Sequence, residues 1–322
     1  MSAAGTRTSV YINFRDPADA IDAAALPNDG GGPCPIEKII RDSIGIHPMA
    51  LLHPGRVSDA SARRRLQELT DGYADGGAYF VERLARGLRT FAQAFHPQPM
   101  IVRLSDLQSD DYAKLIGGAD FERPESNPMI GFRGAARYIH PDHTDAFALE
   151  CAAVKMVRED MGFDNLHPMV PYCRRADEAG AVLDAMATQG LRRGERGLEI
   201  HLMAEVPNNA MEIDTLATLF DGISIGSRDL AQTVLGIDAG AAFVTAEDFN
   251  PCAPGVLKLI GIIIDGAKRH GCAISICGPA PSDHVDMLKY VIEAGIDAIS
   301  LRPDKAVATI ALIREIEAAS GR

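Results

Sequence analysis

The stretch GLEIHLMAEVPNNAMEIDTLATLFDGISIGSRDLAQ, residues 197–232, decides the fold. Two apolar runs, 199–204 and 222–226, read as buried strands. Residues 208–220 between them are apolar at Ala210, Ile213, Leu216 and Leu219, which is helical spacing. Strand, helix and strand make a βαβ unit with a right-handed crossover. Glu205 follows the first run directly, and Asp229 lies three residues past Gly226. Both carboxylates therefore fall at the carboxyl ends of parallel strands, where α/β folds carry their sites. Acids held a few ångströms apart repel, and a hard divalent cation offsets that cost. Mg²⁺ (or Mn²⁺) suits them, because it takes one or two carboxylates and leaves positions for water and a substrate oxygen. Singly, each acid reads as a solvated loop residue. The pair on neighbouring strands points to a metal.

Working outward, residues 10–14 (VYINF) predict a first strand, with Asp16 and Pro17 at the start of a helix that runs through Ala25. A second strand is due at NDGGGPCPIEK, 28–38, yet three glycines and two prolines make that segment a poor one. Helices are expected over 36–44, after a Ser58 cap, and over 78–95. Residues 100–104 (MIVRL) form the third strand. Residues 105–143 make a long excursion, too polar and too glycine-rich for core, and loops of this length in compact domains are usually functional. Helix 145–161, strand 166–171 and helix 176–188 lead to the central unit. Helix 256–270, strand 273–277, a helix at 283–293 capped by Ser282, strand 298–301 and helix 303–319 complete the chain. Eight strands alternating with helices predict a (β/α)₈ barrel, one domain over 1–322. An open doubly wound sheet is the alternative, but no GxGxxG follows any strand.

Composition narrows the function. The 322 residues are 47% hydrophobic, enough for a large core, and carry a net charge of −12 with no basic block, which argues against nucleic acid. An acidic substrate would need local arginines. No apolar run approaches the ~18 residues of a membrane span. The opening MSAAGTRTSV lacks a charged-then-apolar leader, so export is not expected. Six cysteines form no CxxC pair and show no metal-ligand spacing, which fits a reduced, cytoplasmic protein.

The strand ends of such a barrel collect a specific set: Arg103, Glu205, Asp229, Cys277 and Arg302. Arg133 rides on the long excursion between Gly131 and Gly134, where the backbone can come close to a ligand. Arginines facing a metal are what a carboxylate or phosphate substrate requires, since guanidinium binds such groups bidentately. Cys277, followed by Gly278 and Pro279, can deliver a proton or act as nucleophile; without context it reads as a buried, inert thiol. His140 and His143 sit in a polar loop and read as solvated.

Several longer pieces, in one order, carry a family resemblance: IGIHPMALL, IVRLSD, NPMIGFRGAARYI, FALECAAVK, FDGISIGS, ICGPAPSD and GIDAISLRPD. The chain resembles the C-terminal, phosphoenolpyruvate- and pyruvate-binding barrel of the phosphoenolpyruvate synthases (pyruvate, water dikinases). Pyruvate phosphate dikinase and enzyme I of the sugar phosphotransferase system are more distant. The resemblance implies Mg²⁺ on Glu205 and Asp229, and substrate oxygens on Arg103 and Arg133. It also makes Cys277 the proton donor or acceptor at the methyl carbon of the enolate, and Glu37 the acid of the family's Arg-x-Glu. A homodimer is expected from it too. The departures are Pro35 for that motif's arginine, Arg228 for the asparagine beside the metal aspartate, Ala239 for an arginine, Gly278-Pro279 for Gly-Gln, and Arg302 for the asparagine of Asn-Pro-Asp. Arg228 restores a charge lost at Ala239, from a different starting point.

The family's full enzymes also carry an ATP-binding domain and a phosphohistidine domain, and no histidine here sits in a Thr-x-His-like context. Three functions follow. The first is phosphoryl transfer of synthase type, with phosphohistidine and ATP site on a separate polypeptide, acting on a small 2-oxo acid or enol phosphate. The second is a free-standing Mg²⁺ lyase or aldolase working through a pyruvate enolate. The third is a non-catalytic binding relative, against which the retained acids and Cys277 count. The balance falls on the first.

Overall fold

In the computed structural model, which describes residues 5–245 and 248–320, eight parallel strands close on themselves. They are β1 (Ser9–Ile12), β2 (Gly30–Pro35), β3 (Met100–Arg103), β4 (Leu166–Val170), β5 (His201–Ala204), β6 (Gly222–Gly226), β7 (Ala273–Cys277) and β8 (Ala298–Leu301). Each pairs with the next in chain order, and β8 returns to β1 through Val10↔Ile299. The expected (β/α)₈ barrel is the fold. Strand alternation sorts the side chains into two layers. Met100, Val102, Leu202, Ala204, Ile223, Ile225, Ile274 and Ile276 join the large core under the helices, whereas Ile101, Met169, Met203 and Cys277 pack together inside the barrel. The same parity turns Arg103 and Glu205 inward at the carboxyl ends. Among the described residues no helix is long and apolar enough to cross a membrane, and all six cysteines are free.

The second strand forms despite its glycines and prolines, because its neighbour comes too close for side chains. A Cβ on Gly30 would lie 2.7 Å from the Pro99 carbonyl oxygen, and one on Gly31 would lie 2.5 Å from Met100 Sδ. Gly32, at φ +103°, passes against the Ile101 backbone. The register shifts between Gly31 and Cys34, so the strand is bulged.

Other boundaries move for local reasons. The helix expected over 208–220 is two helices, Pro207–Met211 and Ile213–Leu219. Glu212 stands at the break; its carboxylate accepts from Ala176 N (2.6 Å) and Asn208 Nδ2 (2.9 Å). Asp59, not Ser58, caps helix Ala60–Thr70, accepting from Ser61 N at 2.8 Å. Ser282 caps nothing: its hydroxyl is buried without a partner, and helix Val285–Ala294 starts beyond His284.

The excursion at 105–143 is not excluded from the core. It contains the short helices Ser109–Ala113 and Ala135–Tyr138, and buries Leu107, Tyr112 and Tyr138. Its polar residues go inside because they are paired. Arg137, 1% exposed, holds Glu122 with both terminal nitrogens (2.5 and 3.0 Å) and lies over the rings of Tyr112 and Phe132. His143, expected in solvent, is buried beside His47, while His140 stays near the surface.

Candidate active site

The carboxyl ends of the strands surround a cleft of about 780 Å³ whose lining includes Glu37, Arg103, Asp106, Arg133, Glu205, Arg228, Asp229, Cys277 and Gly278. Every residue of the candidate set except Arg302 reaches it. Arg302 is held by Asp304 (2.8 Å) and lies 3.8 Å from Asp283, and it does not line the cleft.

Glu205 follows β5 and is 2% exposed. One of its oxygens accepts from Tyr172 N at 2.7 Å. The turn after it is pinned by Asn209, whose Oδ1 accepts from the amides of Glu205 and Val206 at 3.0 Å and whose Nδ2 donates to the Cys173 carbonyl at 2.8 Å. Asp229 lies in the first turn of helix Ser227–Leu235, which leaves β6 without a gap, and its Oδ1 accepts from Gln232 Nε2 at 2.8 Å.

A third acid completes the group. Asp106, Glu205 and Asp229 each offer an oxygen within 4.8 Å of the others. Asp106 lies three residues past the end of β3, the offset Asp229 has from β6. That repeated offset is the signal by which the sequence marks Asp106, beyond the pair Glu205 and Asp229 expected to hold a metal. Arg133 joins two of the three: its Nε donates to Asp106 Oδ1 (2.9 Å), and its Nη2 to Asp106 Oδ2 (2.5 Å) and Asp229 Oδ2 (3.0 Å). Its guanidinium lies 4.0 Å over the Tyr172 ring.

The glycines beside Arg133 serve packing and not a ligand's approach. A Cβ on Gly134, at φ +55°, would lie 2.6 Å from the Pro171 carbonyl oxygen and 2.7 Å from Tyr172 Cβ. Gly131 faces the Glu125 carboxylate in the same way.

Three carboxylates, when ionised, against the one guanidinium bonded to two of them leave two negative charges, the deficit a divalent cation fills. Burial, then Asp229 and Asp106, push the Glu205 carboxyl well above the usual carboxylate range. A nearby cation reverses that pressure and favours the ionised form. The donor set is all oxygen, which suits Mg²⁺ or Mn²⁺.

A second group, His47, Glu122 and His143, has similar spacing but different chemistry. Glu122 is already neutralised by Arg137 and accepts from His47 Nε2 at 3.0 Å. His47 Nδ1 in turn accepts from Met49 N at 3.1 Å. That bond leaves the proton on Nε2, where a metal would need a lone pair. Burial lowers both histidine pKa values below the ordinary one.

Arg103 closes β3 and donates through Nη2 to Glu37 Oε1 at 2.6 Å; the same oxygen accepts from Asp106 N at 2.9 Å. Arg103 Nε and Glu37 Oε2 are buried without hydrogen-bond partners, so a donor and an acceptor remain uncommitted beside the acids. Cys277 faces inward next to Met203, and burial pushes its thiol up to about 12. It is protonated at neutral pH, which fits a proton donor and not a resident thiolate. Its carbonyl accepts from Ser227 Oγ at 2.7 Å, tying the ends of β6 and β7 together.

The chain is 44% identical over 317 residues to the phosphoenolpyruvate synthase of Synechocystis and 43% identical over 308 residues to that of Escherichia coli. These alignments cover 98% and 96% of this chain but 39% of each relative, so the chain spans about two fifths of the length of the curated relatives it matches. A crystal structure of an HpcH/Hpal aldolase/citrate lyase family protein from Burkholderia cenocepacia superposes over 99% of this chain and 96% of its own, with a TM-score of 0.50 at 14% identity. That likeness concerns the fold alone. The family model of the PEP-utilising enzymes' PEP-binding domain matches residues 1–318. An acid-lined barrel of this topology, matched by that family from one end to the other, belongs to the PEP-binding domains of the PEP-utilising enzymes.

Proposed function

We propose that this chain is a Mg²⁺- or Mn²⁺-dependent catalytic barrel for pyruvate, phosphoenolpyruvate or a related 2-oxo acid. It serves phosphoryl transfer of phosphoenolpyruvate-synthase type, with the phosphohistidine and ATP-binding functions supplied outside residues 1–322. The observation that supports it is one cleft holding Asp106, Glu205 and Asp229 beside the inward thiol of Cys277.

Glu205 and Asp229 hold the cation, with Asp106 beside them. When bound, that cation supplies electrostatic stabilisation to an enolate oxygen. Arg103, with its uncommitted Nε, takes a substrate oxygen and orients the molecule. Arg133 keeps Asp106 and Asp229 in place and presents its edge to the same ligand. Arg228 and the Gly278 backbone bound the cleft on the β6–β7 side. Cys277 Sγ carries the proton that moves to or from the methyl carbon.

Calorimetric titration of Mg²⁺ in the presence of oxalate or pyruvate tests the proposal. Binding is expected in wild type and lost in Glu205→Gln and Asp229→Asn; variants that bind as well as wild type place the site elsewhere.

Pro35 in the cleft lining, where the family carries an arginine, favours a second reading, in which the same residues run carbon–carbon lysis or aldol addition through the enolate. Adding the ATP-binding and phosphohistidine parts of a synthase separates the two. Phosphoenolpyruvate formation supports the first, and a new carbon–carbon bond from pyruvate and an aldehyde supports the second. Metal-dependent oxalate binding with neither product would leave a binding relative. A homodimer belongs to this proposal, and sedimentation at micromolar concentration checks it.

A further inference from the structure

We infer that the mouth of the cleft holds a second anion subsite, formed by Arg15, Arg41 and Arg228. Its ligand is a 2-oxo acid with a second carboxylate at the far end of its carbon chain. The inference rests on the proposed reading of the floor as a metal and 2-oxo acid site.

The charges of the floor are spoken for. Arg103 is paired with Glu37, and Arg133 with Asp106 and Asp229. The mouth is different. Lys38 is neutralised between Asp16 (3.4 Å) and Asp42 (2.5 Å), and the nearby cleft acid Asp111 is taken by Lys114. Arg15, Arg41 and Arg228 line the same cleft, are exposed, and have no side-chain hydrogen bond or ion pair among the described residues. They come from separate places: the loop after β1, the helical segment after β2, and the first turn after β6.

Like charges gathered on one concave surface repel, and the chain has acids to spare at a net charge of −12. Guanidinium forks match carboxylates bidentately, and a cluster of them at a cleft mouth selects and steers an anion. A phosphoryl group on the enol oxygen would stay one bond from the oxygen held at the floor, beside the 2%-exposed Glu205. A group several bonds away is better placed to meet the exposed arginines that line the same cleft. The volume of about 780 Å³ leaves room for that longer chain.

The test compares 2-oxoglutarate with 2-oxopentanoate, which has the same carbon chain without the second carboxylate, by calorimetry in Mg²⁺. Wild type should bind 2-oxoglutarate about tenfold to a hundredfold more tightly, the range of one or two charge-assisted hydrogen bonds. The double variant Arg15→Ala, Arg41→Ala, which spares Arg228 beside the proposed metal ligand Asp229, should lose most of that preference and keep its affinity for 2-oxopentanoate. Equal binding in wild type, or a preference that survives undiminished in the double variant, overturns the subsite and leaves the floor reading intact. If neither acid binds while oxalate does, the subsite alone falls; if oxalate fails as well, the floor reading falls and takes this one with it. Phosphoenolpyruvate is the third arm: a loss of its affinity in the double variant as large as that for 2-oxoglutarate would assign the mouth to a phosphoryl group and overturn the distal carboxylate.

Discussion

Arg133 Nη2 stands 3.0 Å from Asp229 Oδ2, so an arginine of the 105–143 excursion is bonded to the acid that follows β6. The same side chain grips Asp106 with two nitrogens, and the Arg133 and Asp106 side chains are 6% and 0% exposed. It acts as a resident counter-ion where two acids would otherwise face a third.

Replacing Arg133 by Met should therefore destabilise the fold strongly. Removing one partner of a buried ion pair typically costs about 3–5 kcal/mol, because the remaining charge is left uncompensated. Millimolar Mg²⁺ should restore more of the lost Tm in Arg133→Met than it adds to wild type, since the cation takes over the missing neutralisation. Calorimetric scans with and without Mg²⁺ check this, and an equal Mg²⁺ increment in both proteins would refute it.

Cys277→Ala isolates the proposed proton donor. Loss of a positioned general acid costs about 10²–10⁴-fold. Exchange of pyruvate methyl hydrogens for deuterium, followed by NMR with Mg²⁺ present, should slow by an amount in that range. Exchange as fast as in wild type would dismiss the thiol and keep the site.

Glu150 should make stability fall as pH rises. Its carboxylate accepts from Ser105 Oγ (2.5 Å) and Ser105 N (3.2 Å), and burial pushes it from its ordinary 4.5 up to about 7. Between those values the folded state holds a proton that the unfolded state has released. The stabilisation is complete below pH 4.5 and lost as pH climbs through 7, by at most about 3 kcal/mol. Urea unfolding at pH 5 and pH 8 should show this loss in wild type and a flatter profile in Glu150→Gln.

Gly134→Ala should disturb both fold and site. The residue would sit at φ +55° with its Cβ inside contact distance of Pro171 and Tyr172, a backbone strain of about 1–3 kcal/mol. Because Arg133 is its neighbour, Mg²⁺ affinity should fall along with Tm. Gly55→Ala is the control: nothing lies within 4 Å of its Cβ, and a change within about 0.5 kcal/mol is expected. Unchanged metal affinity in Gly134→Ala would separate the glycine from the site.

Much of the site was legible because strands have a period of two and barrels expose their carboxyl ends. Arg103, Glu205 and Cys277 were placed by that rule, and Asp229 by its short offset from β6. Arg302 satisfied the same rule and still missed the cleft, because Asp304 two residues away captures its guanidinium. Asp106 has the same offset from β3 that Asp229 has from β6, but it opens a long polar excursion in which acids are common. Loop polarity predicts a solvated His143, because it says nothing of Arg137 and Glu122, which neutralise each other in the cluster that buries it.

The sequence by itself determined the barrel, through seven apolar runs at strand length separated by helical periodicity with a place left for an eighth, and it determined which residues stand at the strand ends. It could not determine β2, whose glycines are explained only by the Pro99–Ile101 segment, backbone and Met100 sulfur alike, lying against them. Nor could it determine the ionic state of the cleft. Arg133 is 27 residues from Asp106 and 96 from Asp229, and which charges neutralise which depends on distances that exist only once the barrel has closed. Hydrophobic patterning is a local property and survives in one dimension. Electrostatic pairing falls off with distance in space, so only the tertiary structure could decide which charges meet in the cleft.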